Sequence, residues 1–262
     1  MPDAVVGRHV VISRGGHVAL RESDFTVPTG AITAIIGPNG SGKSTLLHAI
    51  AGLLPISNGS LSVLGATPEL SQRELAYVLQ FTTVPAGTPL TVAEAVMMGR
   101  YPSLGFLRRP SRRDRERVEQ AMERLDITHL AKRHLNELSG GQRQRVYVAQ
   151  GVAQDHSMLL LDEPLTGLDI TSAKTIDSII HDEPSRGCSV LLTTHDLEEA
   201  QAADHVILTA GRVVASGPPA EALTPDNLTT AYGLGTLHDP DAEAPLFPTE
   251  HHDHSHEADR GF

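Results

Sequence analysis

Residues 37 to 45 read GPNGSGKST and place Gly37, Gly42, Lys43 and Ser44 at the spacing G-x-x-x-x-G-K-[ST], a pattern suited to wrapping a phosphate chain. Glycines in such a loop turn successive N–H groups toward phosphate oxygens, and the helix opening at Lys43 aims its positive end at the same point. Lys43 adds an ammonium, the Ser44 hydroxyl can bind Mg²⁺, and Pro38, Asn39, Gly40, Ser41 and Thr45 complete the cradle. A Gly-rich turn could fit this pattern by chance. The stretch lies, however, between an apolar strand-like run, AITAIIG, and a helical one, KSTLLHAIAGLL, which is the context the chemistry requires. A second stretch, MLLLDE at residues 158 to 163, ends a hydrophobic run in two carboxylates. Asp162 at such a strand end can hold Mg²⁺ through water, and Glu163 can polarise a water for attack on a γ-phosphate. Many strands end in acidic residues, so MLLLDE gains its meaning from the phosphate loop.

These two elements leave kinases, GTPases, helicases and other nucleotide enzymes open. LSGGQRQR, residues 138 to 145, narrows the field: it resembles the signature of ATP-binding cassette (ABC) ATPases, and the other marks of that family stand in the same order along the chain. Ser139, Gly140, Gly141 and Gln142 precede or open an apparent helix, QRQRVYVAQGVAQ, so a hydroxyl, amides and a helix N-terminus would face a phosphate. The resemblance implies that this phosphate belongs to ATP held by the opposite subunit. It also implies roles for Gln80 in LAYVLQ, at Mg²⁺ and the attacking water, for Asp169 in LTGLD, and for His195 in LLTTHD, at the γ-phosphate. It covers residues 1 to about 232. Two departures stand out. Arg14 in ISRGG occupies the place of an aromatic residue that stacks on adenine in the family; its guanidinium can stack on a base, or it can sit in a solvated turn. Gln150 and Gly151 replace the family's usual Arg-Ala, which implies a local change of packing rather than lost chemistry.

The elements that must position these residues follow from periodicity. RHVVIS and HVALRESDFTVP alternate as antiparallel strands with one wet face would. GSLSVLG and LAYVLQF read as further strands. Residues 91 to 154 turn helical, opened by a capping-box spacing from Thr91 to Glu94 and continued by SRRDRERVEQAMERLD, with Val118, Met122 and Leu125 at helical intervals. SMLLLD, CSVLLTT and HVILT then alternate with the helical DITSAKTIDSII and DLEEAQAA, which predicts a parallel sheet. The expected fold is therefore α/β: a P-loop NTPase core with a parallel sheet, an antiparallel β subdomain, and a helical subdomain inserted at about residues 82 to 154. A nucleotide-binding domain spans residues 1 to 236, and a His-rich tail of Pro, Asp, Glu and His spans 237 to 262.

Composition bounds the partners. A net charge of −11 argues against a surface that condenses on nucleic acid. The single cysteine, Cys188, excludes an internal disulfide, the first residues lack a secretory pattern, and no apolar run approaches the roughly 18 to 20 residues of a membrane span. The expected place is the cytoplasmic side of the cell membrane. The resemblance implies transmembrane permease subunits, a solute-binding protein, a homodimer or heterodimer of ATPase subunits, and ATP with Mg²⁺ as cofactors. The insert segment MMGRYPSLGFLRRPSRRDRERV is similar to ATPase subunits of bacterial manganese, zinc and iron importers, and also to those for iron-siderophores and cobalamin. Its six arginines, at 108, 109, 112, 113, 115 and 117, read as a solvated helix face and loop, with lipid or partner contact the lesser reading. His251, His252, His254 and His256, with Asp253, Glu257 and Asp259 among them, form a donor set suited to Zn²⁺-type ions. A sensing or buffering tail and a bystander tail both fit that composition. An exporter ATPase is the least favoured transport reading, and soluble ABC proteins with paired cassettes do not fit one phosphate loop.

Overall fold

The computed structural model describes residues 3–79, 89–104 and 109–233. Two long strands, β1 (Asp3–Arg14) and β2 (His17–Pro28), form a hairpin. Next come β3 (Ile32–Ile36), α1 (Lys43–Ile50), β4 (Asn58–Val63), the short α2 (Pro68–Ser71) and β5 (Leu75–Val78). The helical stretch holds α3 (Val92–Met98), α4 (Tyr101–Leu104), α5 (Arg112–Arg124) and α6 (Gly140–Val152). The chain then alternates through β6 (Met158–Asp162), α7 (Ile170–Asp182), β7 (Ser189–Thr194), α8 (Leu197–Ala202), β8 (His205–Thr209) and β9 (Val213–Gly217), and the described part closes on α9 (Pro219–Ala222) and α10 (Pro225–Tyr232).

Two sheets result. β2-β1-β4 is antiparallel, and β5-β6-β7-β3-β8-β9 is parallel except where β9 runs antiparallel to β8. Every residue of β3, β6, β7 and β8 is buried, which explains their continuous apolar runs: a parallel strand covered on both faces has no wet side to mark with polar residues. The pleat sends alternate residues to two cores. Met158, Leu160, Leu191 and Ile207 pack with Leu46, Leu47 and Ile50 of α1 and with Val5, Val10 and Leu20 of the hairpin. Leu159, Leu161, Val190 and Leu192 pack with Val92, Val96, Val118, Leu125 and Val146 of the helical block. The parallel sheet is thus the middle layer between the antiparallel sheet with α1 and the helical insert.

The predicted capping box is present at α3, where the Thr91 hydroxyl accepts from the Glu94 N–H and the Glu94 carboxylate accepts from the Thr91 N–H. A second box, Ser111 with Asp114, opens α5. Val118, Met122 and Leu125 are buried, as their spacing predicts. Of the arginines, Arg109, Arg112, Arg113 and Arg115 are exposed, Arg112 pairing with Glu116 one turn on; Arg117 turns toward Asp155 at 3.6 Å, and Arg108 lies outside the described residues. The sequence signal overran at β5, which ends at Val78 rather than Phe81. β9, α9 and α10 were not anticipated: VVASG is short and only half-buried along most of its length, so it lacks the apolar run that marks the other strands of its sheet. Gly151, one of the two departures noted above, has a packing reason. It is buried where α6 crosses the sheet, and an added Cβ would sit 2.9 Å from Val78 Cγ2 and 3.4 Å from Leu159 Cδ1.

One buried charge fixes the insert to the core. Arg100, 4% exposed, donates to Asp114 Oδ1 (3.0 Å), the Ala153 carbonyl (2.8 Å) and Asp155 Oδ2 (2.8 Å), tying the α3–α4 junction to α5 and to the end of α6. Removing one member of a buried pair strands the other. Arg100→Ala is therefore expected to destabilise the domain by about 3–5 kcal/mol, a fall in melting temperature on the order of 6–20 °C. The Ser111 hydroxyl, with help from Arg100, holds the Asp114 carboxyl down at about 2. Because that value lies below the unfolded one of about 3.9, the stability it contributes is present above the unfolded value and disappears as the pH falls through about 2. Thermal melts of both proteins should show the deficit of Arg100→Ala in full at neutral pH and narrowing below pH 4; a deficit independent of pH would detach it from the Asp114 charge.

Candidate functional site

The phosphate loop leaves the end of β3 and is clamped by the neighbouring strand β8. Ser41 Oγ and Thr209 Oγ1 are 2.8 Å apart, the Thr209 hydroxyl also donates to the Ile36 carbonyl at 3.2 Å, and the Gly211 N–H donates to the Ser41 carbonyl at 2.9 Å. This clamp is why residue 37 must be glycine: a Cβ there would run into the Thr209 carbonyl. Asn39 and Gly40 at the crest are exposed, while Ser41, Lys43 and Thr45 are buried. Lys43 folds back over the loop and donates to the carbonyls of Gly37 (2.8 Å) and Pro38 (3.1 Å). Burial pulls its pKa below the usual lysine value, against the opposing carboxylates of Glu163 and Asp162. A partly desolvated ammonium aimed along the loop is a ready partner for phosphate oxygens.

At the ends of β6 and β7 the predicted carboxylates stand next to this loop. Asp162 is buried, and its Oδ1 accepts from Ser44 Oγ at 3.0 Å and from Thr193 Oγ1 at 2.6 Å. The Thr193 hydroxyl in turn accepts from the Glu163 N–H at 2.9 Å. Thr193 was missed by sequence reasoning; in CSVLLTT it reads only as a β-branched strand residue, and its role depends on β7 lying beside β6. Glu163 adopts φ 45°, the left-handed region that non-glycine residues rarely enter, so its side chain leaves the strand line and turns toward His195. Its Oε2 lies 3.8 Å from His195 Nδ1 and accepts from Thr166 Oγ1 at 3.4 Å. His195 is exposed in the turn before α8, a turn fixed by the Asp196 carboxylate, which accepts from the N–H groups of Glu198 and Glu199. Ser44, Asp162, Glu163 and His195, predicted from three separated stretches, therefore meet at one edge of the sheet. The donor set of Ser44 hydroxyl and Asp162 carboxylate, all hard oxygens, fits Mg²⁺.

The LSGGQ stretch behaves differently. Ser139 caps α6 through a full capping box with Gln142: the Gln142 N–H donates to Ser139 Oγ at 3.3 Å and the Ser139 N–H to Gln142 Oε1 at 3.1 Å. Gly140 and Gly141 form the first turn, whose N–H groups have no intrahelical acceptor. Gly141 lies against the carboxylate of Asp169 and the hydroxyl of Ser172. Asp169 itself caps α7, accepting from the Ser172 N–H at 2.9 Å and the Ser172 hydroxyl at 2.8 Å, and these bonds hold its carboxyl below the usual aspartate range. Among the described residues no hydrogen bond or ion pair joins Ser139–Gln142 or Asp169 to residues 37–45. Arg14 stands exposed at the tip of the β1–β2 hairpin, paired in register with His17; β2 then runs past the phosphate loop, where the Ala19 carbonyl abuts Gly42. Gln80 and the imidazoles of His251, His252, His254 and His256 lie outside the described residues.

Comparison with known proteins agrees with this geometry. A family model described as "ABC transporter" matches residues 20–166. The chelated iron transport system membrane protein YfeB of Yersinia pestis is 40% identical over 235 residues, covering 88% of this chain and 79% of the relative. The zinc transport system ATP-binding protein TroB of Treponema pallidum is 39% identical over 240 residues, covering 91% and 88%. Among solved structures, an inward-facing ABC transporter proposed to be of metal-chelate type superimposes with a TM-score of 0.77 at 29% identity, covering 88% of this chain and 89% of that one.

Thr193 offers a test of the carboxylate end of the site. Thr193→Val keeps the shape but removes the hydroxyl shared by Asp162 and the Glu163 N–H, leaving both short of a partner in a buried place. Asp162 keeps its bond from Ser44, so the expected cost is about 1–3 kcal/mol, read by thermal denaturation, and ATP turnover should fall with it as the Asp162–Glu163 end of the site loses its alignment. Unchanged melting and unchanged turnover would show that the shared hydroxyl is dispensable.

Proposed function

Because the chain belongs to the ABC transporter family and is its ATP-binding, ATP-hydrolysing domain, we propose that it powers an importer for a transition-metal ion, with Zn, Mn and Fe the candidates. The observation that carries the reading is the two half-sites of one chain. The phosphate loop with Asp162 and Glu163 forms one, the capped N-terminus of α6 the other, and nothing among the described residues joins them. Two such subunits head to tail, identical or not, place residues 37–45 of one against Ser139–Gln142 of the other, with ATP between.

In that arrangement the loop amides and Lys43 take the β- and γ-phosphates. Ser44 and Asp162, with Gln80, would hold Mg²⁺, which would supply positive charge to offset that of the phosphates. Glu163 takes a proton from the attacking water, and His195, 3.8 Å from it, faces the γ-phosphate and the developing charge on its oxygens. Asp169, fixed as the α7 cap against Gly141, keeps the signature helix aligned for the neighbouring subunit. Arg14 sits where an aromatic residue would stack on the base. Closing the sandwich drives the permease subunits, to which a solute-binding protein delivers the ion outside; hydrolysis reopens it.

No helix among the described residues is long and apolar enough to cross a membrane, which fits a peripheral subunit on the cytoplasmic side held by its permease partners. The metal class is supported by the names of the relatives and by the donor-rich tail carrying His251, His252, His254 and His256. A chelated cargo is the second reading, favoured by the relative named for chelated iron and by the solved transporter of metal-chelate type.

The test is uptake. In a strain lacking this gene, the wild-type chain should restore accumulation of one of Zn²⁺, Mn²⁺ or Fe²⁺ supplied as the simple ion, whereas Glu163→Gln should not, its turnover falling on the order of 10² to 10⁴ while an ATP-bound dimer builds up on gel filtration. Rescue only with a chelate would replace the free-ion reading. Full turnover without a new dimer in Glu163→Gln would overturn the assignment of the base.

A further inference from the structure

At the end of the parallel sheet away from the nucleotide site, three potential metal ligands meet. His156 lies in the turn between α6 and β6, Glu183 caps the end of α7, and Cys188 directly precedes β7. His156 Nε2 is 3.2 Å from Glu183 Oε2, Cys188 Sγ is 3.3 Å from the His156 carbonyl, to which it donates, and the three ligand atoms lie within 4.8 Å of one another. The His156 and Glu183 side chains are only 5% and 1% exposed, Cys188 is half-buried, and all three border a cavity of about 410 Å³.

Two of the three ligands are oriented from behind. His156 Nδ1 is 3.1 Å from the Gln154 carbonyl, so in the neutral ring Nδ1–H donates there and leaves the Nε2 lone pair facing the other two ligands. Arg124 holds Glu183 through Oε1 at 2.7 Å, with Arg186 at 3.9 Å on the same oxygen, and this leaves Oε2 turned toward His156. A backbone carbonyl behind the imidazole and a cation behind the carboxylate are the supports that bound-metal ligands use. We propose that His156, Glu183 and Cys188 bind a borderline divalent transition-metal ion of the Zn²⁺ class, with a water in the cavity as the fourth ligand. Thiolate, imidazole and carboxylate suit Zn²⁺ and its neighbours and not Mg²⁺, which takes oxygen ligands. The thiolate and carboxylate together balance the dication, and the nearest arginine, Arg124, remains paired on Oε1.

In the metal-free cluster a proton occupies this place. Burial disfavours the charged imidazole, but Cys188 and Glu183 outweigh it and raise His156 to about 9; burial likewise opposes the Glu183 charge, yet His156 and Arg124 hold that carboxyl down at about 2. The metal binds the neutral imidazole and the thiolate, so any proton carried by either passes to solvent as the metal–nitrogen and metal–sulfur bonds form. The site is separated from Asp162 by the length of β6, five residues or roughly 16 Å, so an ion there is held in the core and takes no part in phosphate chemistry. The inference stands whichever cargo the transporter carries.

Cobalt provides the probe. Cys188 is the single cysteine in the chain, so a thiolate-to-cobalt charge-transfer band can arise nowhere else. The full chain carrying His251→Ala, His252→Ala, His254→Ala and His256→Ala, reduced and metal-free, is titrated with Co²⁺ alone. The expected result is a band that saturates at one equivalent, is bleached by Zn²⁺, vanishes in Cys188→Ser, and requires at least about tenfold more Co²⁺ in His156→Gln. Should His156→Gln fail to fold, the milder Cys188→Ser decides through stability: Zn²⁺ should raise the melting temperature of the tail variant and leave that of Cys188→Ser unmoved. No charge-transfer band in the folded protein, or equal stabilisation by Zn²⁺ with and without the thiol, would overturn the proposal and leave an imidazolium–carboxylate pair of structural use only. Loss of uptake with the band intact would instead strike the cargo reading.

Discussion

The structure depends on one buried carboxylate. Asp162 ends a strand in which every residue is buried, and its carboxyl is accommodated there because Ser44 and Thr193 both donate to it. Those two bonds connect the start of α1, the end of β6 and the end of β7, three elements that meet nowhere else in sequence. The same Thr193 hydroxyl accepts from the Glu163 N–H, and Glu163 leaves the strand with a left-handed backbone. The phosphate loop, Asp162 and Glu163 are therefore held by a single hydrogen-bonded knot at the carboxyl edge of a parallel sheet, where open α/β sheets place their ligands.

A second constraint keeps the helical insert in register with that edge. The insert contributes its apolar face to one side of the sheet through Val92, Val96, Val118 and Val146, but apolar packing alone allows sliding. Arg100, donating to Asp114, the Ala153 carbonyl and Asp155, and Arg124, paired with Glu183, make directional contacts. They pin α5 and the end of α6 to the core, and α6 carries the signature residues at its other end. The insert is thus attached to the core by polar contacts that are specific at a few points.

The parts of the site differ in how far apart their members lie. Within one subunit, the phosphate loop, Asp162, Glu163 and His195 are complete. Ser139 and Gly140 are exposed at the start of a capped helix, with Gly141 buried against Asp169.

What the sequence by itself determined is what short-range physics encodes. The phosphate loop needs glycines at fixed offsets, a helix cap needs its partner three residues on, and a strand buried on both faces must be continuously apolar; GPNGSGKST, Thr91 with Glu94, and MLLLD each carry their whole reason within a few residues. The family marks placed Gln80, Asp169 and His195 by order along the chain. Only the tertiary structure could decide the rest, because no periodicity states which distant residues become neighbours. Thr193 gains its role from the β6–β7 pairing, Gly151 from the crossing of α6 over the sheet, and β9 from an edge on β8 rather than from any apolar run of its own. His156, Glu183 and Cys188 are 27 and 32 residues apart from the first to the second and third. They become a cluster only because parallel strands joined by a crossover helix begin side by side at the same edge.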